Sequence, residues 1–263
     1  MIAFASNSLL CRAALKGTSI DAASFTLVRL FSGALTLFLV VRLGRGGATK
    51  AGNWPSALAL FVYAAAFSFA YLNLSAGTGA LLLFSAVQAT MILWGWRAGE
   101  RLGARQLIGL TIALAGLFIL LLPGIAAPPL RGSLLMLSAG VTWGAYSLRG
   151  RGERNPAAAT TGNFLRAVPL AVALSLALLP WARLDSLGVI YAVLSGAIAS
   201  GLGYVVWYAA LPGLEAASAA SVQLSVPVLA AAGGILLLGE PLTLRFLLAS
   251  VAVWGGIALV VIG

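Results

Sequence analysis

Residues 104–122 read ARQLIGLTIALAGLFILLL, an apolar run whose one charged side chain, Arg105, stands near its start. A helix of this length measures about 28 Å, close to the ~30 Å of a bilayer's hydrocarbon core. Comparable runs follow one another along the chain, and they are too long and too uniformly apolar for the alternating strands of a membrane barrel. The run therefore predicts an all-α membrane protein.

Short charged or Pro/Gly-containing segments divide the chain into ten predicted transmembrane helices. Their predicted spans are 1–16, 24–43, 54–73, 76–97, 104–122, 131–149, 157–180, 186–210, 215–238 and 243–262. Asn155-Pro156 resembles a helix N-cap followed by proline at the first helical position, and Glu240-Pro241 is expected to open the last helix in a related way. Gly99 and Gly239 stand where two helices are expected to end in a left-handed residue.

The composition excludes several classes of protein. Of the 263 residues 61% are hydrophobic and 8% are charged, whereas a soluble domain carries about 25% charged residues. The formal charge of +10 is better explained by arginines that orient helices than by nucleic-acid binding. With one cysteine, Cys11, and no histidine, the chain has no internal disulfide and no Cys/His metal or catalytic cluster. We expect no cofactor and no metal.

The basic residues predict the orientation in the membrane. The loops after helices 2, 4 and 6 carry the larger share of them, namely Arg42, Arg45, Lys50, Arg97, Arg101, Arg105, Arg149, Arg151 and Arg154. The opposite side carries fewer, namely Arg12, Lys16, Arg131, Arg183 and Arg245. By the positive-inside rule the first set faces the cytoplasm, and both termini lie there too. We expect an integral protein of the bacterial inner membrane.

The two halves of the chain resemble each other. With a shift of 140 residues Gly99-Glu100 falls on Gly239-Glu240 and Gly116 falls on Gly256, and with a shift of 137 Arg29 falls on Arg166. We therefore predict two five-helix repeats, 1–122 and 131–263. Because five is odd, the second repeat is inverted in the membrane, an arrangement typical of secondary transporters that bind substrate between their halves.

The second repeat resembles a known family. Residues 216–220, 224–229, 238–242 and the pair Gly255-Gly256 look like the C-terminal repeat of the drug/metabolite transporter superfamily, EamA type. A weaker copy in the first repeat comprises Ala76, Ala80, Gly99-Glu100, Gly109 and Gly116, with Val87 at the position of Pro227. The resemblance implies a ten-helix carrier similar to exporters of amino acids and related metabolites, among which aromatic amino acid exporters are the nearest type.

The acidic residues and arginines were considered for roles within the membrane. All six acids are predicted at helix ends or in loops, so the sequence offers no proton carrier in mid-span. Glu100 and Glu240, with Gly99, Gly239 and Pro227, are assigned to helix junctions, where a carboxylate would tie the turn to backbone amides. Arg29 and Arg166 lie within spans. Each either anchors a substrate carboxylate or serves structure, by snorkelling to the interface or by capping the carbonyls of a neighbouring broken helix. Arg166 is the deeper and the better ligand candidate.

Uncharged polar and aromatic side chains near the span centres are the remaining candidates for substrate recognition. Tyr204, Trp207 and Tyr208 are spaced i, i+3, i+4 and so share a helix face. An aromatic face with hydroxyl groups is typical of a small-molecule site, whereas most isolated serines serve helix packing. The predicted substrate-binding residues are Asn7, Tyr63, Ser85, Gln88, Trp143, Tyr146, Arg166, Ser200, Tyr204, Trp207 and Gln223.

Three functional classes were compared. A carrier that exports small organic metabolites, with amino acids the favoured class, fits an uncharged aromatic cavity. An intramembrane enzyme would need a nucleophile with a base, paired acids or metal ligands in mid-span, and the sequence provides none of these. A channel or a non-transporting scaffold needs no inverted repeat. The expected partners are a small-molecule substrate and membrane lipid, without nucleic acid, in a monomer or a homodimer.

Overall fold

A computed structural model describes residues 1–43, 51–97, 99, 103–122, 127–150, 153, 155–210, 223 and 225–262. The regular elements of this described part are all helices, as the sequence predicts. The first seven are α1 (Ile2–Gly17), α2 (Ala22–Leu43), α3 (Trp54–Tyr71), α4 (Ala76–Arg97), α5 (Ala104–Leu121), α6 (Leu130–Gly150) and α7 (Pro156–Ala177). The later helices are α8 (Ser186–Val193), α9 (Gly203–Ala210), α10 (Ser225–Leu238) and α11 (Leu244–Ile262).

Six helices of the described part are long and apolar enough to cross a membrane. Five of them are α2, α3, α4, α5 and α7, and the sixth is the continuous helix Ser186–Trp207, which comprises α8, a π-helical segment and most of α9. Shorter apolar helices occur at Ser225–Leu238 and Leu244–Val260. Many leucines on the outer surface are exposed, such as Leu43 (83%) and Leu236 (81%). These exposed apolar faces suit hydrocarbon as the surrounding solvent.

The end of the seventh helix differs from the prediction. This helix ends at Ala177 and is followed by a 3₁₀ turn, Leu179–Trp181, because Pro180 has no N–H group with which to continue the α-helical pattern. The last helix begins at Leu244, one residue from its predicted start at 243. Glu240-Pro241 does not open it, since Thr243 Oγ1 accepts the Phe246 N–H (3.2 Å) in its first turn. The predicted start of the ninth helix, at residue 215, lies outside the described residues.

Polar caps fix the starts of several helices. Asn53 accepts a hydrogen bond from the Ser56 N–H (2.9 Å) at the start of α3, and Asn155 accepts one from the Ala158 N–H (3.1 Å) at the start of α7. Each cap satisfies a backbone donor that the first helical turn leaves unpaired. The predicted Asn155-Pro156 cap is therefore confirmed. Gly99 and Gly239 have φ of 96° and 63°, which glycine adopts without strain.

Asp21 caps α2 and joins it to the loop before α8. Its Oδ1 accepts the N–H groups of Ala23 and Ser24 (both 2.9 Å), and its Oδ2 accepts the Arg183 N–H (2.9 Å). Burial raises the pKa of the Asp21 carboxyl, but the hydrogen bonds from Ser24, Arg183 and Ala23 outweigh it. The pKa therefore lies below its ordinary value of 3.8.

Small residues allow α5 and α11 to pack closely. A Cβ added to Gly109 would lie 2.4 Å from the Gly256 carbonyl oxygen, and one added to Gly256 would lie equally close to the Gly109 oxygen. Gly116 meets Ala252 in the same way. This stripe of small residues on α11 is therefore covered by α5 of the same chain, as small-residue interfaces in membranes permit.

Residues Leu194–Leu202 form a π-helical segment between α8 and α9. The Gly203 N–H bonds to the Ile198 carbonyl, five residues earlier, which is the wide-turn pattern of a π-helix. This segment packs against α1 and α2. A Cβ at Gly196 would lie 2.1 Å from the Arg29 carbonyl oxygen, so the close approach to α2 requires glycine there.

Candidate functional site

The helices bring one group of polar and aromatic side chains together in the protein interior. We call Phe4, Asn7, Tyr63, Trp143 and Tyr204 the central cluster; they come from α1, α3, α6 and α9. Four of the five were predicted as substrate-binding residues, and Phe4 was not. Phe4 lies three residues before Asn7 on α1, so the helical spacing alone could have identified it.

Ring stacking holds the central cluster together. The Trp143 indole stacks on the Tyr204 ring with centroids 5.1 Å apart and an interplanar angle of 25°. Its centroid is also 4.8 Å from that of Tyr63. Phe4 packs edge-on against Tyr204 at 5.8 Å and against Trp207 at 6.1 Å. Such aromatic pairs each contribute about 0.5–1.5 kcal/mol beyond the burial of their area.

The Tyr63 hydroxyl is the polar centre of the cluster. It accepts a hydrogen bond from Asn7 Nδ2 (3.3 Å) and another from Arg29 Nη2 (3.1 Å). The Asn7 Oδ1 in turn accepts from the Ser195 hydroxyl of the π-helical segment. Two donors, one of them cationic, therefore converge on a single neutral oxygen.

Arg29 is the largest fully buried side chain of the described residues, with 2% of its surface exposed. Its guanidinium lies over the rings of Phe67 (4.8 Å to the centroid) and Tyr63 (5.3 Å). In the described part of the chain Arg29 Nη1 has no hydrogen-bond partner, and the ion pair found is between Arg12 and Glu240. An unpaired buried ion costs several kcal/mol, more than cation–π contacts of about 0.5–2 kcal/mol return.

A small cavity lies inside the cluster. Its volume is about 20 Å³, and Phe67, Leu83, Phe84, Ala199 and Ser200 also line it. Ser200 is 2% exposed, and its hydroxyl has no partner among the described residues. The space suffices for one water molecule and falls far short of the ~300–1,000 Å³ of ligand pockets. The cluster is therefore closed to metabolites in this conformation.

Ser85 and Gln88 line a different cavity, of about 300 Å³, between α4, α5, α6 and α11. Its walls are almost wholly apolar, with Leu110, Leu114 and Leu117 of α5 among them. The Ser85 hydroxyl bonds to the Leu81 carbonyl of its own helix (2.7 Å), the usual arrangement of a serine in a membrane helix. The structure thus separates these two predicted residues from the central cluster.

Arg166 and Tyr146 are also absent from the lining of the small cavity in the central cluster. Arg166 Nη1 donates to the carbonyls of Ala51 and Gly162, both at 2.9 Å. One acceptor belongs to the same helix as Arg166 and the other to the segment before α3, so neither is the carbonyl of a neighbouring broken helix. Tyr146 is buried and stacks on Trp143 at 5.6 Å, while its hydroxyl accepts from Asn163 Nδ2 (3.4 Å).

The remaining predicted residues either do not line the cavity of the central cluster or lie outside the described residues. Gln223 is half-buried and helical just before α10, and Pro227 is buried within α10. Glu100 and the side chain of Tyr208 lie outside the described residues. From the sequence Arg166 is a better ligand candidate than Arg29. Phe67 is not among the predicted residues, although it follows Tyr63 by one helical turn.

Glu240 joins three segments at the junction before α11. Its Oε1 pairs with Arg12 Nε (3.1 Å) and its Oε2 accepts the Ala76 N–H at the start of α4 (2.8 Å). Arg12 Nη1 also donates to the carbonyls of Tyr71 (2.8 Å) and Leu72 (3.3 Å). The carboxylate therefore binds a distant helix start rather than its own turn, so Glu240 does not open α11 as expected.

The described residues contain no group of three or more His, Cys, Asp or Glu side chains that could hold a metal ion. Cys11 is buried in α1 with a free thiol. The chemistry that the central cluster and the adjoining Arg29 offer is therefore recognition by rings, an amide, hydroxyls and one guanidinium.

Comparison with known proteins places this architecture among relatives. The chain is 63% identical over 261 residues to an uncharacterised protein of Pseudomonas aeruginosa, covering 99% of this chain and 91% of that protein. It is 29% identical over 241 residues to an uncharacterised transporter of Archaeoglobus fulgidus, covering 88% and 86%. One crystal structure with 20% identity superposes with a TM-score of 0.69 over 98% of this chain and 95% of the other. That likeness concerns the fold.

The family-level match covers the second half of the chain. Residues 130–262 match the sequence pattern described as the EamA-like transporter family. They include α6, α7, the helix containing the π-helical segment, α10 and all of α11. The chain therefore belongs to the EamA-like transporter family of the drug/metabolite transporter superfamily.

Proposed function

We propose that the protein is a carrier that exports small organic metabolites, with amino acids the favoured class, and that the central cluster is its substrate site. The observation that carries the proposal is the buried meeting of Asn7, Tyr63, Trp143 and Tyr204 around the small cavity. A few polar groups among apolar and aromatic walls are the usual composition of a small-molecule site. The membership of a transporter family supports the same reading.

The packing of the helices supports two inverted repeats, 1–122 and 131–263. If the predicted repeats are correct, α2 corresponds to α7, α4 to α10 and α5 to α11, and each of these pairs is in contact. The contact of α3 with α6 likewise has its counterpart in the contact of α1 with α8 and the π-helical segment. A pattern of contacts that maps onto itself is what an internal two-fold axis produces.

The central cluster draws on the elements that such an axis would exchange. Asn7 and Tyr63 belong to the first predicted repeat, and Trp143 and Tyr204 belong to the second. A site between two repeats opens to one side or the other as the repeats rock against each other. The small cavity of about 20 Å³ would widen as the site opened to either side.

The proposed setting is the bacterial inner membrane with both termini in the cytoplasm. The basic residues support this orientation, because they concentrate in the loops after the second, fourth and sixth predicted helices. Export and the amino acid class rest on the resemblance to amino acid and metabolite exporters, and on the aromatic character of the cluster.

Flux into proteoliposomes tests the proposal. The purified protein is reconstituted, and uptake of labelled phenylalanine, methionine and threonine is measured with and without unlabelled substrate inside. A carrier gives saturable uptake that internal substrate accelerates, because exchange avoids the return of the empty site. Linear uptake without acceleration would identify a channel instead, and no uptake of any amino acid would refute the substrate class.

Matched tryptophan variants locate the site. Trp143→Ala removes the ring that stacks on Tyr204 and Tyr146, and we expect flux to fall at least about tenfold because about 1.4 kcal/mol of lost contact suffices. Trp94→Ala removes an indole that is 61% exposed and should leave flux unchanged. Wild-type flux in Trp143→Ala, with loss of flux in Gln88→Leu, would place the site in the cavity between α4, α5, α6 and α11.

A further inference from the structure

The guanidinium of Arg29 presents an unused donor beside the central cluster. Arg29 Nη1 is buried and has no partner among the described residues. Nη2 of the same group donates to the Tyr63 hydroxyl, and the guanidinium lies over the faces of Tyr63 and Phe67. A guanidinium has five N–H donors and no acceptor, so what it lacks here is an acceptor, and its charge makes an anionic acceptor the best.

The position of Arg29 relates it to the cavity. Tyr63 and Phe67 contact Arg29 and also line the small cavity of the central cluster. Movement of the Tyr63 ring would therefore bring the guanidinium and the cavity together. Asn7 Nδ2 already donates to the same hydroxyl as Arg29 Nη2, so a molecule that replaced this hydroxyl would meet both donors.

The geometry points to a carboxylate as this molecule, and we infer that Arg29 anchors the carboxylate of an organic anion or amino acid in the central cluster. Two carboxylate oxygens match the two terminal nitrogens of a guanidinium, so Nη1 would gain the acceptor that it lacks. A neutral hydroxyl supplies one oxygen and no charge. This inference rests on the proposed function, since it assigns the substrate chemistry of the same site.

The other arginine within a span cannot take this role in the structure. Arg166 Nη1 donates to the carbonyls of Ala51 and Gly162, and its side chain is half-buried. Arg29 and Arg166 therefore form a natural pair for comparison, because they are related by the predicted repeat but differ in whether the guanidinium has its acceptors.

Binding to the purified full-length protein tests the inference without requiring transport. Titration calorimetry in nanodiscs compares 3-phenylpropionate with 3-phenylpropionamide, which share a carbon skeleton and differ in charge, in methanesulfonate buffer with and without chloride. We expect the carboxylate to bind the wild type roughly 10- to 100-fold more tightly than the amide, the range for a hydrogen bond to a charged group. Equal binding, or no binding of the carboxylate, would overturn the inference, as would complete displacement by chloride.

Variants of Arg29 and Arg166 then identify the residue that binds the carboxylate. Arg29→Gln should bring the carboxylate-to-amide ratio close to one, Arg29→Lys should keep part of it, and Arg166→Gln should keep the whole. An unchanged ratio in Arg29→Gln overturns the inference. If Arg29→Gln does not fold, the wild-type ligand pair and Arg29→Lys still decide, because lysine retains the charge and loses the paired N–H donors. Carboxylate binding without flux would refute the transport proposal alone, and flux with an Arg29-independent ratio would refute the anchor alone.

Discussion

Removal of the Glu240 carboxylate should destabilise the junction between α1, α4 and α11. The Arg12 and Glu240 side chains are 11% and 5% exposed, so Glu240→Ala would leave a largely buried arginine without its counter-ion and the Ala76 N–H without its acceptor. Breaking a buried ion pair by removal of one partner costs about 3–5 kcal/mol. At about 2–4 °C per kcal/mol for a chain of this size, the melting temperature should fall by roughly 6–20 °C.

The one cysteine of the chain makes the assay simple. Cys11 is fully buried in α1, so a dye that fluoresces on reaction with thiols reports unfolding at this single position as the protein is heated in detergent. Arg12 is the next residue, so the probe lies beside the perturbed ion pair. Heating rates must be matched between variants, because unfolding of a membrane protein in detergent is commonly irreversible.

A double-mutant cycle separates the ion pair from the hydrogen bond. Glu240→Gln keeps an acceptor for the Ala76 N–H and should melt between Glu240→Ala and the wild type. Arg12→Met combined with Glu240→Gln removes both charges and should recover most of the loss, because a buried pair is often replaceable by uncharged groups. A melting temperature for Glu240→Ala within about 2 °C of the wild type would refute the reasoning.

Two further predictions concern Asp21 and Gly196. The pKa of Asp21 is lowered below 3.8 in the folded protein, so its carboxylate stabilises the fold fully above that ordinary value and loses this effect as the pH falls through the lowered one. The melting-temperature difference between wild type and Asp21→Asn should be constant from pH 7 down to about pH 5 and should shrink as the pH falls below 3.8. A difference that stayed constant below 3.8 would contradict the linkage. Gly196→Ala would place a methyl group against the Arg29 carbonyl oxygen and should cost about 1–3 kcal/mol of stability and lower flux, whereas Gly255→Ala, with nothing within 4 Å of its added Cβ, should melt and transport like the wild type.

The sequence predicted much of this architecture because lipid restricts the choices. Apolar runs without charge must be helices in a bilayer, and the caps at Asn155 and the positive φ at Gly239 follow from local backbone needs. The aromatic spacing that singled out Tyr204 is local too, since residues four apart share a helix face.

Contacts between segments that are far apart in the chain could not be predicted from the sequence. Glu240 binds Ala76 across 164 residues, and nothing near Glu240 in the chain indicates this partner. Arg29 and Arg166 read alike along the chain, yet one lacks an acceptor and the other bonds two carbonyls. Whether such an arginine binds a ligand or serves the structure depends on its burial and its hydrogen-bond partners. The packing of other helices sets both of these.

The π-helical segment has a consequence for how the cavity is encoded. In a regular α-helix residues five apart diverge by about 140° around the axis, so Ser195 and Ser200 would face different neighbours. In the wide turn, where residues five apart are bonded, Ser195 reaches Asn7 while Ser200 lines the cavity beside it. Deletion of one residue between them would yield a more regular helix of nearly unchanged hydropathy and would turn Tyr204 away from Trp143. The recognition surface therefore depends partly on the number of residues in the π-helical segment. Substitution scans do not change this number.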